Sequence, residues 1–172
     1  MARILLLSTG GTIEKTYCEM QGILANHVSV LDVMLASLET RGVVISRRAL
    51  MNKDSLDMTE SDHQLIADAV VAGAADHDGI VIVHGTDRLA VTGEVIQTRL
   101  ASMPKAQIPV VLTGAMRPYE LRRTDAVQNI TESLLAVQIL PPGVYAVFHN
   151  QVLAFPGVVK DSVRGTFVKR AN

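Results

Sequence analysis

At 172 residues, 48% of them hydrophobic and 19% charged, the chain is long enough for one domain with a sizeable core. A net charge of −1 gives no electrostatic case for nucleic acid or an anionic membrane, and no apolar run is long enough to span a bilayer. The absence of tryptophan, with only three Tyr and three Phe, leaves little surface for stacking on nucleobases, and the single cysteine, Cys18, excludes an intrachain disulfide and fits a reducing cytoplasm.

Met1-Ala2-Arg3 runs directly into an apolar stretch, without the basic, apolar and cleavage regions of a signal peptide. The pattern then predicts strands at Ala2–Ser8, Val43–Ala49, Gly79–His84, Ile108–Thr113 and Gly143–His149, with a weaker one at Gln151–Phe155. Several are continuous Val/Ile/Leu runs, as expected of strands covered on both faces in a parallel sheet. Helices are predicted between them. Val28–Arg41 carries Val30, Leu31, Met34, Leu35 and Leu38 on one face. Ser61–Ala75 opens on a capping box, Ser61 with Gln64, and turns Leu65, Ile66, Ala69 and Val70 inward. Leu89–Ser102 carries Val95, Ile96 and Leu100, and Thr124–Leu140 carries Val127, Ile130, Leu134 and Val137 before Pro141-Pro142 ends it. Residues 13–27 read as a polar, irregular loop, the kind that is often functional in a compact domain. The sum is an α/β fold: three layers, αβα, around a mostly parallel, Rossmann- or flavodoxin-like sheet.

In such sheets ligands bind beyond the carboxyl ends of the strands. Four hydroxyl-bearing or glycine turns fall there: Gly10-Gly11-Thr12, Ser55, His84-Gly85-Thr86-Asp87 and Thr113-Gly114-Ala115-Met116. Thr12 reads either as a turn-capping threonine or as a nucleophile delivered beside free backbone N–H donors. Thr86 and Asp87 read either as an N-cap pair for the helix at Leu89 or as a carboxylate and hydroxyl that orient substrate or water. Lys160, in Gly157-Val158-Val159-Lys160-Asp161, reads either as a solvated lysine or as an amine held among apolar residues for chemistry. The five histidines at 27, 63, 77, 84 and 149 show no metal-ligand spacing, so no metal or other cofactor is expected. His84 is expected to pack or hydrogen-bond within its turn, and Arg122-Arg123 to be a solvated pair.

Together, Thr-Gly-Gly-Thr-Ile at 9–13, His-Gly-Thr-Asp at 84–87, Gly-Ala-Met-Arg-Pro at 114–118, Asp54-Ser55-Leu56-Asp57-Met58 and Val-Val-Lys at 158–160 resemble, in order, the strings of the bacterial-type L-asparaginase family. The resemblance implies that Thr12 attacks a side-chain amide and leaves an acyl-enzyme. It implies that Thr86, Asp87 and Lys160 act as a second group that polarises the reaction and activates water. It further implies that Asp87 holds the substrate ammonium and Ser55 its carboxylate, that Tyr17 helps to activate the nucleophile, and that backbone N–H groups near Gly11 and Thr86 serve as oxyanion donors.

Two departures from the family pattern stand out. Arg88 replaces a usual threonine, and Tyr119-Glu120-Leu121-Arg122-Arg123-Thr124-Asp125 replaces a serine-rich stretch. The resemblance covers nearly the whole chain and stops after the lysine string, so a single catalytic domain over 1–172 is expected, without the C-terminal domain of longer members. The expectation is a cytoplasmic, cofactor-free amidohydrolase that converts L-asparagine to L-aspartate and ammonia. Its partners are expected to be an amino-acid amide substrate and further copies of the chain, as a homodimer or homotetramer, with neither nucleic acid nor membrane. The alternatives are an asparaginase-like subunit of a tRNA-dependent amidotransferase and a non-catalytic amino-acid-binding module.

Overall fold

A computed structural model describes residues 1–103 and 107–170. Among the described residues, ten strands and four α-helices follow one another as β1 (Ala2–Gly10), β2 (Thr16–Cys18), β3 (Ile23–Ala25), α1 (Leu31–Ala36), β4 (Val43–Lys53), α2 (Glu60–Gly73), β5 (Gly79–Val83), α3 (Leu89–Ala101), β6 (Pro109–Thr113), α4 (Ala126–Ile139), β7 (Gly143–Phe148), β8 (Gln151–Ala154), β9 (Val158–Asp161) and β10 (Thr166–Lys169). Six of the strands form the central sheet in the order β4-β1-β5-β6-β7-β8. All its neighbours are parallel except β7 and β8.

The strands at the centre of the sheet are buried along their length because their residues are apolar on both faces; β5, Gly-Ile-Val-Ile-Val, has no exposed position. Side chains alternate between two cores. Leu5 and Leu7 of β1 face α2 and α3, where Ile66, Val70, Leu89 and Ile96 meet them. Ile4 and Leu6 face α1 and α4, against Met34, Ile130, Leu134 and Val137. This is the expected three-layer αβα arrangement, with α2 and α3 on one side and α1 and α4 on the other.

The structure corrects several local expectations. The helix expected over 28–41 spans only Leu31–Ala36. Ser29, which would have lain inside it, gives its hydroxyl to the buried Glu14 carboxylate, and Ser37 Oγ donates to Met34 O at 2.6 Å and closes the other end. The capping box of α2 is Thr59 with Asp62, not Ser61 with Gln64; Thr59 N donates to Asp62 Oδ2 at 2.8 Å. Gln64 instead meets Glu60 and Arg99. Leu65 is exposed, and Asp62, His63 and Ala67 join the inward face. Residues 13–27 are not irregular: a 3₁₀ turn at Thr12–Glu14 leads into the β2–β3 hairpin. A second antiparallel hairpin, β9–β10, forms a ladder of its own outside the main sheet.

Candidate active site

The carboxyl ends of β1, β4, β5 and β6 converge, and glycines set how closely. Gly11 has φ 81°, and a β-carbon there would lie 2.4 Å from Gly85 N and Cα. A β-carbon on Gly85 would in turn lie 2.6 Å from Ser55 Cβ and Oγ. Only glycine permits both approaches. Backbone bonds complete the seam: Gly11 N donates to Lys53 O and His84 N to Thr113 O, each at 2.8 Å. Thr9 Oγ1 donates to Val83 O at 3.0 Å from within β1.

Thr12, half-buried, opens the 3₁₀ turn directly after Gly11. Thr86 is buried directly after Gly85. Thr86 and Asp87 do not cap α3; its N-cap is Arg88, and no side chain bonds there. Instead both bind the amine of Lys160, which reaches across from β9. Lys160 Nζ donates to Thr86 Oγ1 at 2.8 Å and to Asp87 Oδ1 at 2.7 Å. The expected hydroxyl–carboxylate–amine group is therefore assembled.

Ser55, 1% exposed, accepts a long hydrogen bond from Arg88 N at 3.4 Å. Its neighbour Asp54 takes Lys15 Nζ at 2.6 Å. That bond above all holds the Asp54 carboxyl below its ordinary value; Leu56 N–H and the more distant charge of Lys160 add to it. Lys160 thus acts electrostatically on the Ser55 turn as well as on Thr86 and Asp87. Tyr17 stands apart from this cluster. It is 58% exposed on β2, and its backbone N donates to Glu120 Oε2 at 2.5 Å. Arg122 and Arg123 are exposed, as expected of a solvated pair.

One supporting group was hidden from motif reading. His84 Nδ1 lies 2.8 Å from Gly85 O, His84 Nε2 lies 2.7 Å from Thr92 Oγ1, and Thr92 Oγ1 lies 2.7 Å from His63 Nδ1. Burial pushes His84 down to about 4, so its ring is neutral near pH 7. Its Nδ1–H then donates to the Gly85 carbonyl, Thr92 O–H donates to Nε2, and His63 Nδ1–H donates to Thr92. His84 thus hydrogen-bonds within its turn, as expected; its partners His63 and Thr92, on the inner faces of α2 and α3, carry no signal beyond a pattern common in any core.

Comparison with known proteins places this geometry. The asparaginase N-terminal family model matches residues 3–166. The chain is 35% identical to an L-asparaginase of Thermococcus kodakarensis over 88% of its own length and 45% of the relative's. It is 29% identical to a component of the glutamyl-tRNA(Gln) amidotransferase of Methanococcus vannielii over 88% of its length and 35% of that protein's. Among solved structures, the thermostable L-asparaginase from Thermococcus kodakarensis superposes with a TM-score of 0.82 at 31% identity, covering 97% of this chain and 51% of that one. L-asparaginase I from Vibrio cholerae gives 0.81 at 26%, covering 98% and 51%. The chain spans about half the length of these L-asparaginases and about a third of the amidotransferase component.

Proposed function

The chain belongs to the asparaginase family, and from that premise we propose that it is an amidohydrolase that converts L-asparagine to L-aspartate and ammonia through a threonine acyl-enzyme. The observation that carries the reading is the Lys160 amine at 2.8 Å from the Thr86 hydroxyl and 2.7 Å from the Asp87 carboxylate. This group stands at the sheet edge where the Gly11–Gly85 contact brings the Thr12 turn. A module that only bound an amino acid would have no use for a nucleophile and an amine beside it.

In this reading Thr12 Oγ attacks the side-chain amide carbon, and backbone N–H groups around Gly11 and Thr86 stabilise the oxyanion. The carbon–nitrogen bond breaks, ammonia leaves with the proton that Thr12 gives up, and an ester to Thr12 remains. Water then adds to the ester carbon, aspartate departs, and Thr12 regains its proton. Lys160 donates to Thr86 Oγ1, so the Thr86 hydroxyl proton is free to point at the reacting carbonyl or at the attacking water. Asp87 gives Lys160 one oxygen, Oδ1, which leaves Oδ2 for the substrate ammonium. Ser55 takes the substrate carboxylate, and Tyr17 joins Thr12 only when the β2–β3 hairpin folds inward.

The same reading makes 1–172 one catalytic domain, cytoplasmic and assembled with further copies of itself. Among the described residues no helix is long and apolar enough to cross a membrane. The amidotransferase relative keeps a second reading open, in which the ammonia is passed on to a partner. The test is ammonia release by purified protein from asparagine, glutamine and a simple amide, with Thr12→Val as control. Release from asparagine alone supports the proposal; release that requires an added tRNA-dependent partner supports the second reading; none from any substrate overturns both.

A further inference from the structure

Lys160 sits on a hairpin that shares no ladder with the central sheet. Its position is therefore set by side-chain attachments, and apolar packing alone gives little direction. Phe167, opposite Lys160 in the hairpin, packs on Phe148 with ring centroids 4.6 Å apart. Gly157 N, just before β9, donates to Glu94 Oε1 at 2.6 Å, and Lys169 Nζ of β10 donates to the carbonyls of Ala154 and Pro156; a further directional attachment is at the residue beside Phe167. Thr166 Oγ1 lies 2.9 Å from His149 Nδ1, and His149 Nε2 lies 2.9 Å from Asp125 Oδ2.

Asp125 is a fixed post. It is 3% exposed and also accepts from Met116 N and Arg117 N, each at 2.9 Å, and from Asn129 Nδ2 at 3.0 Å. Burial pushes its carboxyl up, but the N–H of Met116, the His149 ring and the N–H of Arg117 together outweigh that and hold it low. An ionised carboxylate only accepts, so His149 Nε2 donates to Asp125, and Nδ1 is left to bond the Thr166 hydroxyl. His149 is held for this task. With φ 51° it is in the left-handed region, as is Asn150 at 62°, and its own N–H donates to Asn129 Oδ1 at 3.1 Å. Those φ values belong to the two-residue turn that joins β7 to β8, and three hydrogen bonds, one from the His149 backbone and two on its ring, tie that turn to Asn129, Asp125 and Thr166.

We infer that His149 is a positioning residue: through Asp125 and Thr166 it seats the β9–β10 hairpin so that the Lys160 amine meets Thr86 and Asp87. The inference rests on the proposed amidohydrolase reading for its catalytic consequence, but the latch itself is testable without turnover.

The test compares Thr166→Val, His149→Asn and Thr166→Ser with the wild type. Valine keeps the β-branched shape without the hydroxyl, asparagine tolerates the left-handed turn without a second ring nitrogen, and serine restores the hydroxyl. Amine acetylation by acetic anhydride, mapped by mass spectrometry, reads the seating of Lys160 against Lys53 as internal reference. In Thr166→Val and His149→Asn the Lys160 rate should rise by roughly three-fold or more as the hairpin opens locally. Turnover of asparagine should fall about ten-fold, since small misplacements at reacting groups have effects of that order. KM should change less than kcat, because Ser55 and Asp87 are not themselves substituted. Thr166→Ser should restore both readouts. Unchanged acetylation in both variants overturns the latch, and raised acetylation with normal kcat overturns its positioning role. If the wild type itself turns over no amide, the amidohydrolase reading falls, and the acetylation result alone decides whether His149 seats the hairpin.

Discussion

Gly11 and Gly85 meet backbone to backbone, so closely that a β-carbon on Gly11 would fall 2.4 Å from Gly85 Cα. Each glycine immediately precedes a threonine, and the contact fixes the spacing between the Thr12 and Thr86 turns. Gly11→Ala combines a left-handed alanine with a clash against backbone that has no room to move. The two effects together should destabilise the fold by about 2–4 kcal/mol and lower Tm by roughly 5–10 °C. Denaturant unfolding checks this; a variant of unchanged stability would mean that the seam opens without penalty.

Thr12→Val preserves shape and removes the hydroxyl. Stability should stay within about 0.5–1 kcal/mol of wild type, because Thr12 is only half-buried. Turnover of asparagine should fall by at least about a thousand-fold, as loss of a covalent nucleophile does. Ammonia release measured with correctly folded protein decides it, and near-normal turnover would move the nucleophile to Thr86.

Lys160→Met retains the apolar stem that reaches from β9 towards Thr86 and removes the amine. Turnover should drop about a hundred-fold or more, with little change in unfolding free energy. Thr86→Val should cause a similar loss, and the double variant should be barely worse than either single one, because groups that act as a unit do not add. Steady-state kinetics on the three proteins give the answer. Fully additive losses would separate the two residues into independent roles.

Acid should unfold the protein in two stages. Burial holds His84 at about 4, below its ordinary 6.5, and shifts His63 the same way. As pH falls from 6.5 towards 4, the unfolded chain gains protons that the folded one does not, and stability is lost. Asp62 is held at about 2, below 3.8, by the backbone N–H of Thr59 and by Lys53. Its contribution is present above 3.8 and disappears as pH falls towards 2. Asp54 and Asp125, also held low, share this stage, so Asp62→Asn should make the lower stage shallower and leave the upper one unchanged. Urea unfolding between pH 2 and 7 separates the two; equal slopes for both proteins below pH 4 would remove Asp62 as the cause.

Leu135 and Ile139 of α4 are 61% and 72% exposed on the face turned away from the core. In an assembly of identical chains this face is the natural contact. If the proposed self-assembly uses this face, Leu135→Lys with Ile139→Lys should lower the mass seen by light scattering at micromolar protein to that of the monomer, with its unfolding free energy changed by less than about 1 kcal/mol. An unaltered assembly would place the contact on another face.

The sheet was legible because β1, β5 and β6 contain unbroken runs of Val, Ile and Leu, and burial on both faces leaves few other readings. Their far ends were legible for the same reason, since glycine beside threonine at a strand end has a limited range of uses. The Lys160 hairpin was not. Val158–Asp161 and Thr166–Lys169 are four residues each, too short for alternation to register, and their partners are each other. The α2 cap was misplaced because Ser61-x-x-Gln64 fits the usual pattern better than Thr59-x-x-Asp62. Asp62 prevails through a charge on Lys53 that lies outside any local window. Extending α1 to 28–41 failed for a similar reason: the Ser29 hydroxyl is claimed by Glu14, far along the chain. The Asp125–His149–Thr166 link joins three elements and leaves no trace in local spacing.

The order of synthesis bears differently on each strand of this sheet. β1 is made before β4 and β5, yet Leu7 lies between Arg48 of β4 and Ile82 of β5. The apolar segment Ile4 to Leu7 therefore emerges with both edges bare and stays half-paired until β5 has left the ribosome. During that interval it offers a template to any other extended chain nearby. Slowing translation before Gly79 should increase the insoluble fraction on expression, whereas a similar pause after Val83 should not.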